Sequence, residues 1–176
     1  MINLMKTKLA LFTALTLASA AFAVEINKPA PDFSATDING KTVKLSDYKD
    51  KIVVIESYNS DCPFCNNHYK TGAMQELQSD LAARGVVWLI VDSVNPKHPS
   101  YRTPEQARKE WADKKIIATA WIDDNSGTVG HLYDMKTTPH MFVIDKNGVV
   151  QYSEQTPTPK DLPNFDAVKA TLAKLK

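Results

Sequence analysis

Apolar and β-branched residues run unbroken through Ile52-Val53-Val54-Ile55 and again through Val86-Val87-Trp88-Leu89-Ile90-Val91. That is the pattern of strands buried on both faces of a sheet. The first run continues to Tyr58. Between the two lies a segment that starts at Pro63, repeats apolar residues at Met74, Leu77 and Leu81, and closes on Arg84-Gly85. Proline at a first helical position and glycine just past the last one predict a single long helix here. Strand, helix, strand in this order predicts a parallel crossover.

Ahead of this unit, Asp32 to Leu45 reads as a β-hairpin turning at Asn39-Gly40, followed by a short helical turn at Ser46-Asp47-Tyr48. Behind it, Asn95 to Tyr101 is a proline-bearing loop, and Thr103-Pro104-Glu105-Gln106 caps a helix running to about Lys114. Ala120 to Asp123 predicts a short strand and Thr128 to Tyr133 a short helix. Met141-Phe142-Val143-Ile144 and Val149-Val150-Gln151-Tyr152 flank the turn Asp145-Lys146-Asn147-Gly148, a second hairpin. Thr156 to Pro163 is proline-rich and irregular, and Phe165 to Leu175 is an amphipathic closing helix. The chain shows no repeats and no low-complexity segment.

The N-terminus reads as an export signal. Lys6 and Lys8 form a positive region, Leu9 to Leu17 is largely apolar, and Ala21-Phe22-Ala23 fits the small-x-small cleavage pattern. The expected domains are therefore a signal peptide over 1–23 and one domain over 24–176, exported to the periplasm or an equivalent compartment. An uncleaved anchor is the alternative, though the apolar part falls short of the roughly 20 residues that span a bilayer. Loss of Lys6 and Lys8 takes the formal charge from +1 to −1. So near-neutral a chain gives no electrostatic case for nucleic acid or anionic lipid.

Both cysteines lie in Asp61-Cys62-Pro63-Phe64-Cys65, where a strand ends and a helix begins. The helix N-terminus favours a thiolate at Cys62, and Cys65, one turn on, can attack a mixed disulfide formed there. Zinc would want about four ligands, and no second C-x-x-C exists; His68 is the nearest further donor and the other histidines are scattered. No metal and no cofactor is expected. A loop this short would stabilise the fold by only about 2 kcal/mol as a mere staple. Exported, such a pair is oxidised by default and acts as a reductant only if electrons are supplied.

The order of elements, with Cys62-Pro63-Phe64-Cys65 at the strand–helix junction and Thr138-Pro139 just ahead of a strand, resembles the thioredoxin fold. The front hairpin, with Pro31-Asp32-Phe33 and Gly40-Lys41-Thr42-Val43-Lys44-Leu45-Ser46-Asp47-Tyr48, resembles the redoxin branch. That branch holds exported thioredoxin-like reductases and the related alkyl hydroperoxide reductase/thiol-specific antioxidant group. The likeness runs roughly from Pro29 to Tyr152. It implies an α/β fold with a central mixed β-sheet flanked by helices and an added N-terminal β-hairpin. It also implies a cis bond at Thr138-Pro139, whose loop lends its backbone to a bound substrate, and a buried acid at Glu56 beneath the second cysteine.

Glu56 in an apolar strand has its pKa raised by desolvation and can take the Cys65 proton; the other reading is a solvated strand-end acid beside Ser57 and Asn59. Asp61 stands where thioredoxins carry tryptophan, either opposing the Cys62 thiolate or serving as a helix N-cap partner. Phe64 is a candidate docking contact. Trp88, Trp111 and Trp121 are expected in the core, away from the motif, and His140 either approaches the sulfurs or turns into the core.

These residues imply an exported thiol–disulfide oxidoreductase. Cys62 and Cys65 form its redox-active disulfide, Glu56 assists, and Thr138, Pro139 and Phe64 meet the substrate. The partners are protein thiols and disulfides, the reductase direction is favoured, and a monomer is expected. A thiol peroxidase is the alternative chemistry, but Ile55 and Asn59 occupy the Pro and Thr/Ser positions of P-x-x-x-T/S-x-x-C. A copper-binding thioredoxin-like chaperone would pair C-x-x-x-C with a distal histidine, a longer spacing than this one. A binding module with an idle disulfide is the third class, and predicts no insulin-reducing activity.

Overall fold

The computed structural model describes residues 24–155 and 165–175. The expected signal peptide and the proline-rich stretch Thr156 to Pro163 lie outside the described residues. Five strands form the central sheet in the order β5-β4-β3-β6-β7: β3 Val53–Ser57, β4 Val87–Asp92, β5 Ala120–Asp123, β6 His140–Ile144 and β7 Val150–Gln155. β3, β4 and β5 run parallel, while β6 pairs antiparallel with β3 and β7 with β6. The front hairpin, β1 Ser34–Thr36 and β2 Thr42–Lys44, forms its own two-stranded sheet. It meets the central one through an isolated bridge between Asp37 and Ile122.

Strand alternation divides the core into two. One face carries Val54, Glu56, Trp88, Ile90, Met141 and Val143. It packs against α1 Pro63–Thr71, α2 Ala73–Ala83 and the closing helix α5 Phe165–Lys174, which contributes Val168 and Leu172. The other face carries Val53, Ile55, Leu89, Ile122 and Phe142 under the front hairpin (Val43) and α4 Thr128–Leu132. Each large apolar side chain so buried contributes about 1.5–3 kcal/mol.

The single long helix expected from Pro63 is instead two. Gly72 sits between them at φ +82°, its N–H donating to the Tyr69 carbonyl while its own carbonyl starts α2 by accepting from Glu76. That conformation suits glycine, with no Cβ to clash. The apolar stripe Met74, Leu77 and Leu81 therefore belongs to α2 alone. The helix α3 Pro104–Asp113 starts as expected, with Thr103 and Gln106 forming a reciprocal capping box.

Candidate active site

The C-x-x-C motif lies where β3 hands over to α1, with Cys62 as the N-cap residue and Pro63 at the first helical position. Cys62 is half-buried and Cys65 fully buried, both as free thiols. The Cys62 Sγ donates to the Thr138 carbonyl at 3.0 Å, and the Thr138-Pro139 peptide bond is cis. The two segments picked out from sequence thus meet across the site. Pro139 is buried, while Thr138 and Phe64 are half-buried beside the motif.

The two sulfurs differ in kind. Once deprotonated, Cys62 accepts from the Cys65 thiol, and also from the Thr138 side-chain hydroxyl and the amides of Cys65 and Phe64. Together these outweigh its partial burial and bring its pKa down to about 5. Burial is the largest effect on Cys65, and with the thiolate partner and the Glu56 charge nearby it pushes that thiol well up. One sulfur is ionised at neutral pH beside a thiol that is not.

Glu56 is fully buried, so the solvated strand-end reading does not hold. Desolvation raises its carboxyl from 4.5 to about 7, against hydrogen bonds from Trp88 and Tyr69 and the charge of Lys114, which lower it. Trp88 Nε1 and the Tyr69 hydroxyl both donate to Oε2 at 2.9 Å, and Oε1 has no protein partner. Trp88 is core, as expected, yet it is not remote from the site. Its alternation with Ile90 on the Glu56 face was a usable signal, as was the four-residue spacing of Cys65 and Tyr69 on α1.

Asp61 does not cap the helix. It stands next to Cys62 in the chain and pairs with Arg102. Behind the motif, Glu110 of α3 accepts from Tyr58 (2.5 Å), Ser60 (2.7 Å) and Lys114 (2.6 Å), and Lys114 also donates to Asn66 of α1 at 2.6 Å. This hub ties the loop before Cys62 to α1 and α3, and sequence reasoning missed it. His140 turns into the core on the face opposite Glu56, its ring stacked on Phe142 at 4.1 Å and burial lowering its pKa to about 4. His68 is buried edge-on to Phe165, and among the described residues no group of three His, Cys, Asp or Glu could hold a metal ion.

A buried thiol and a buried acid behind a half-exposed, readily ionised cysteine, facing a cis-proline loop, define a thioredoxin-like thiol–disulfide oxidoreductase. The chain belongs to the AhpC/TSA family, which it matches over residues 26–153. It is 30% identical over 129 residues to the thiol-disulfide oxidoreductase ResA of Geobacillus kaustophilus, covering 73% of this chain and 68% of that one. It is 26% identical over 136 residues to the thioredoxin-like protein YneN of Bacillus subtilis, covering 77% and 75%. Among solved structures, an uncharacterized conserved protein from Geobacillus kaustophilus superposes with a TM-score of 0.75 at 24% identity, over 86% of this chain and 82% of that one.

Proposed function

We propose that this protein is an exported thiol–disulfide oxidoreductase that exchanges disulfides with protein substrates through Cys62 and Cys65. The observation that carries the reading is the asymmetry of the sulfurs: an accessible one with its pKa drawn down to about 5, and a buried one with its pKa raised. Cys62 forms the mixed disulfide with the client. Cys65 then gives its proton to Glu56 and attacks Cys62, and the client thiolate departs with the electron pair. In this reading the Thr138 carbonyl, which accepts from Cys62 Sγ, meets the backbone of a bound client, with Pro139 shaping the loop and Phe64 adding an apolar contact. Residues 1–23 act as the export signal and 24–176 as the working domain, a monomer in the periplasm. Among the described residues no helix is long and apolar enough to cross a membrane.

The direction proposed is reductive, with electrons supplied by a partner. Because the Cys62 thiolate is stabilised, the couple should lie on the oxidising side of thioredoxin's value of about −270 mV, yet short of the roughly −120 mV of a dedicated oxidant. The test is a trapping experiment joined to a redox titration. Cys65→Ser should accumulate mixed disulfides through Cys62, and Cys62→Ser should accumulate none. Trapping by Cys62→Ser instead would reverse the roles, and a potential near −120 mV would reverse the direction.

A further inference from the structure

Two donors converge on one oxygen of Glu56 and leave the other bare, and the cause lies one residue further back. Gln78 is 1% exposed on the apolar face of α2, among Met74, Leu77 and Leu81. A buried amide in such a stripe is costly unless both its ends are bonded. Both are. Its Oε1 accepts the Ile117 backbone N–H at 2.9 Å, and its Nε2 donates to the Tyr69 hydroxyl oxygen at 2.9 Å. A backbone N–H can only donate, so the amide has one orientation. The Tyr69 oxygen therefore accepts a hydrogen bond from Gln78 and donates its own hydroxyl to Glu56 Oε2 at 2.9 Å. Trp88 Nε1, a donor only, bonds the same oxygen.

We propose that Gln78 is a positioning residue for the resolving step, acting through Tyr69 to commit Glu56 Oε2 to accepting and so to reserve Oε1 for the Cys65 proton. The proposal rests on Glu56 being the base for Cys65. In that step the Cys65 S–H proton passes to Oε1 and the Cys65 sulfur pair forms the Cys62–Cys65 bond. The Cys62–client bond breaks and the client sulfur leaves as a thiolate. Counted with the first attack by Cys62, two protein thiols are oxidised and one client disulfide is reduced. The titratable groups around Glu56 are Cys65 and Tyr69 of α1, Tyr58 just after β3, and Lys114 after α3. In the disulfide form neither sulfur titrates, and both tyrosines ionise far above neutrality because they are buried.

The test is a titration of the Glu56 side-chain carboxyl by 13C NMR on the full exported domain in its disulfide form. Tyr69→Phe keeps the ring and removes one donor to the carboxylate, and should raise the midpoint by about one pH unit, a tenfold gain in proton affinity. Gln78→Met should raise it by less, because it only weakens Tyr69 as a donor. In the Tyr69→Phe background Gln78→Met should add nothing, as expected of a residue that acts through another. If Gln78→Met does not fold, Gln78→Asn, too short to reach both partners, takes its place. A Gln78 effect equal in both backgrounds, or absent from both, overturns the relay. Midpoints that move as expected while the pH profile of single-turnover resolution stays still would instead overturn Glu56 as the base, so the two failures are told apart.

Discussion

Replacing Glu56 by Gln keeps the shape of the side chain and an oxygen for Trp88 and Tyr69, but removes the ionisation. The carboxyl rises from 4.5 to about 7 on folding, chiefly through burial. Between those values the folded state binds more protons than the unfolded one, so stability falls as pH increases. At 1.36 kcal/mol per pH unit, the wild type loses about 3 kcal/mol between pH 4.5 and pH 8 through this one group. The amide loses nothing. The difference in unfolding free energy between Glu56→Gln and wild type should be near zero below about pH 4 and grow to about 3 kcal/mol in the variant's favour at pH 8. Denaturant unfolding of the reduced proteins at several pH values reads this directly, with m-values unchanged. Resolution of the mixed disulfide should slow by about 10²–10⁴-fold in the same variant and lose its pH dependence near neutrality. A stability difference that is flat with pH would refute the argument, since it would mean an acid with an ordinary pKa.

Two further substitutions test the scaffold. Gly130→Ala would place a Cβ 2.5 Å from Ser93 Oγ and 2.9 Å from Ser93 Cβ, where Ser93 is held by Asp124 at 2.6 Å. It should cost about 1–3 kcal/mol in denaturant unfolding, while Cys62 reactivity stays as in wild type. Glu110→Ala leaves Lys114, Tyr58 and Ser60 without their shared acceptor. It should cost about 3 kcal/mol and slow the reaction of Cys62 with a disulfide, because the loop before the motif loses its anchor.

Much of this architecture is legible in the chain because strands and turns announce themselves locally. The continuous runs at Val53 and Val87, the Asn39-Gly40 and Asn147-Gly148 turns and the Thr103 capping box all reappear in the structure. The break at Gly72 is not legible in the same way. A glycine inside a helical pattern costs only about 1 kcal/mol, so periodicity on both sides outvotes it. At the site, the thiol pair, Pro139 and Glu56 are visible as residue types in sequence order, and the cis bond before Pro139 only through the family resemblance. Their supports are not, because the contacts of Glu56 with Trp88, of Gln78 with Ile117 and of Glu110 with Tyr58 join distant segments. Gln78 leaves one mark that can be read in advance: it is a polar residue four places after Met74 on an otherwise apolar helix face.

The division of labour between the sulfurs is the centre of the account, and alkylation of the reduced protein across pH tests it most directly. The rate at Cys62, followed by mass spectrometry after a limiting dose of iodoacetamide, should rise with a midpoint near 5 and reach its plateau by neutrality. Cys65, buried and with its pKa pushed up, should stay unlabelled until the fold is opened. Labelling of Cys65 ahead of Cys62, or a Cys62 midpoint near the free-thiol value of about 8.5, would contradict it.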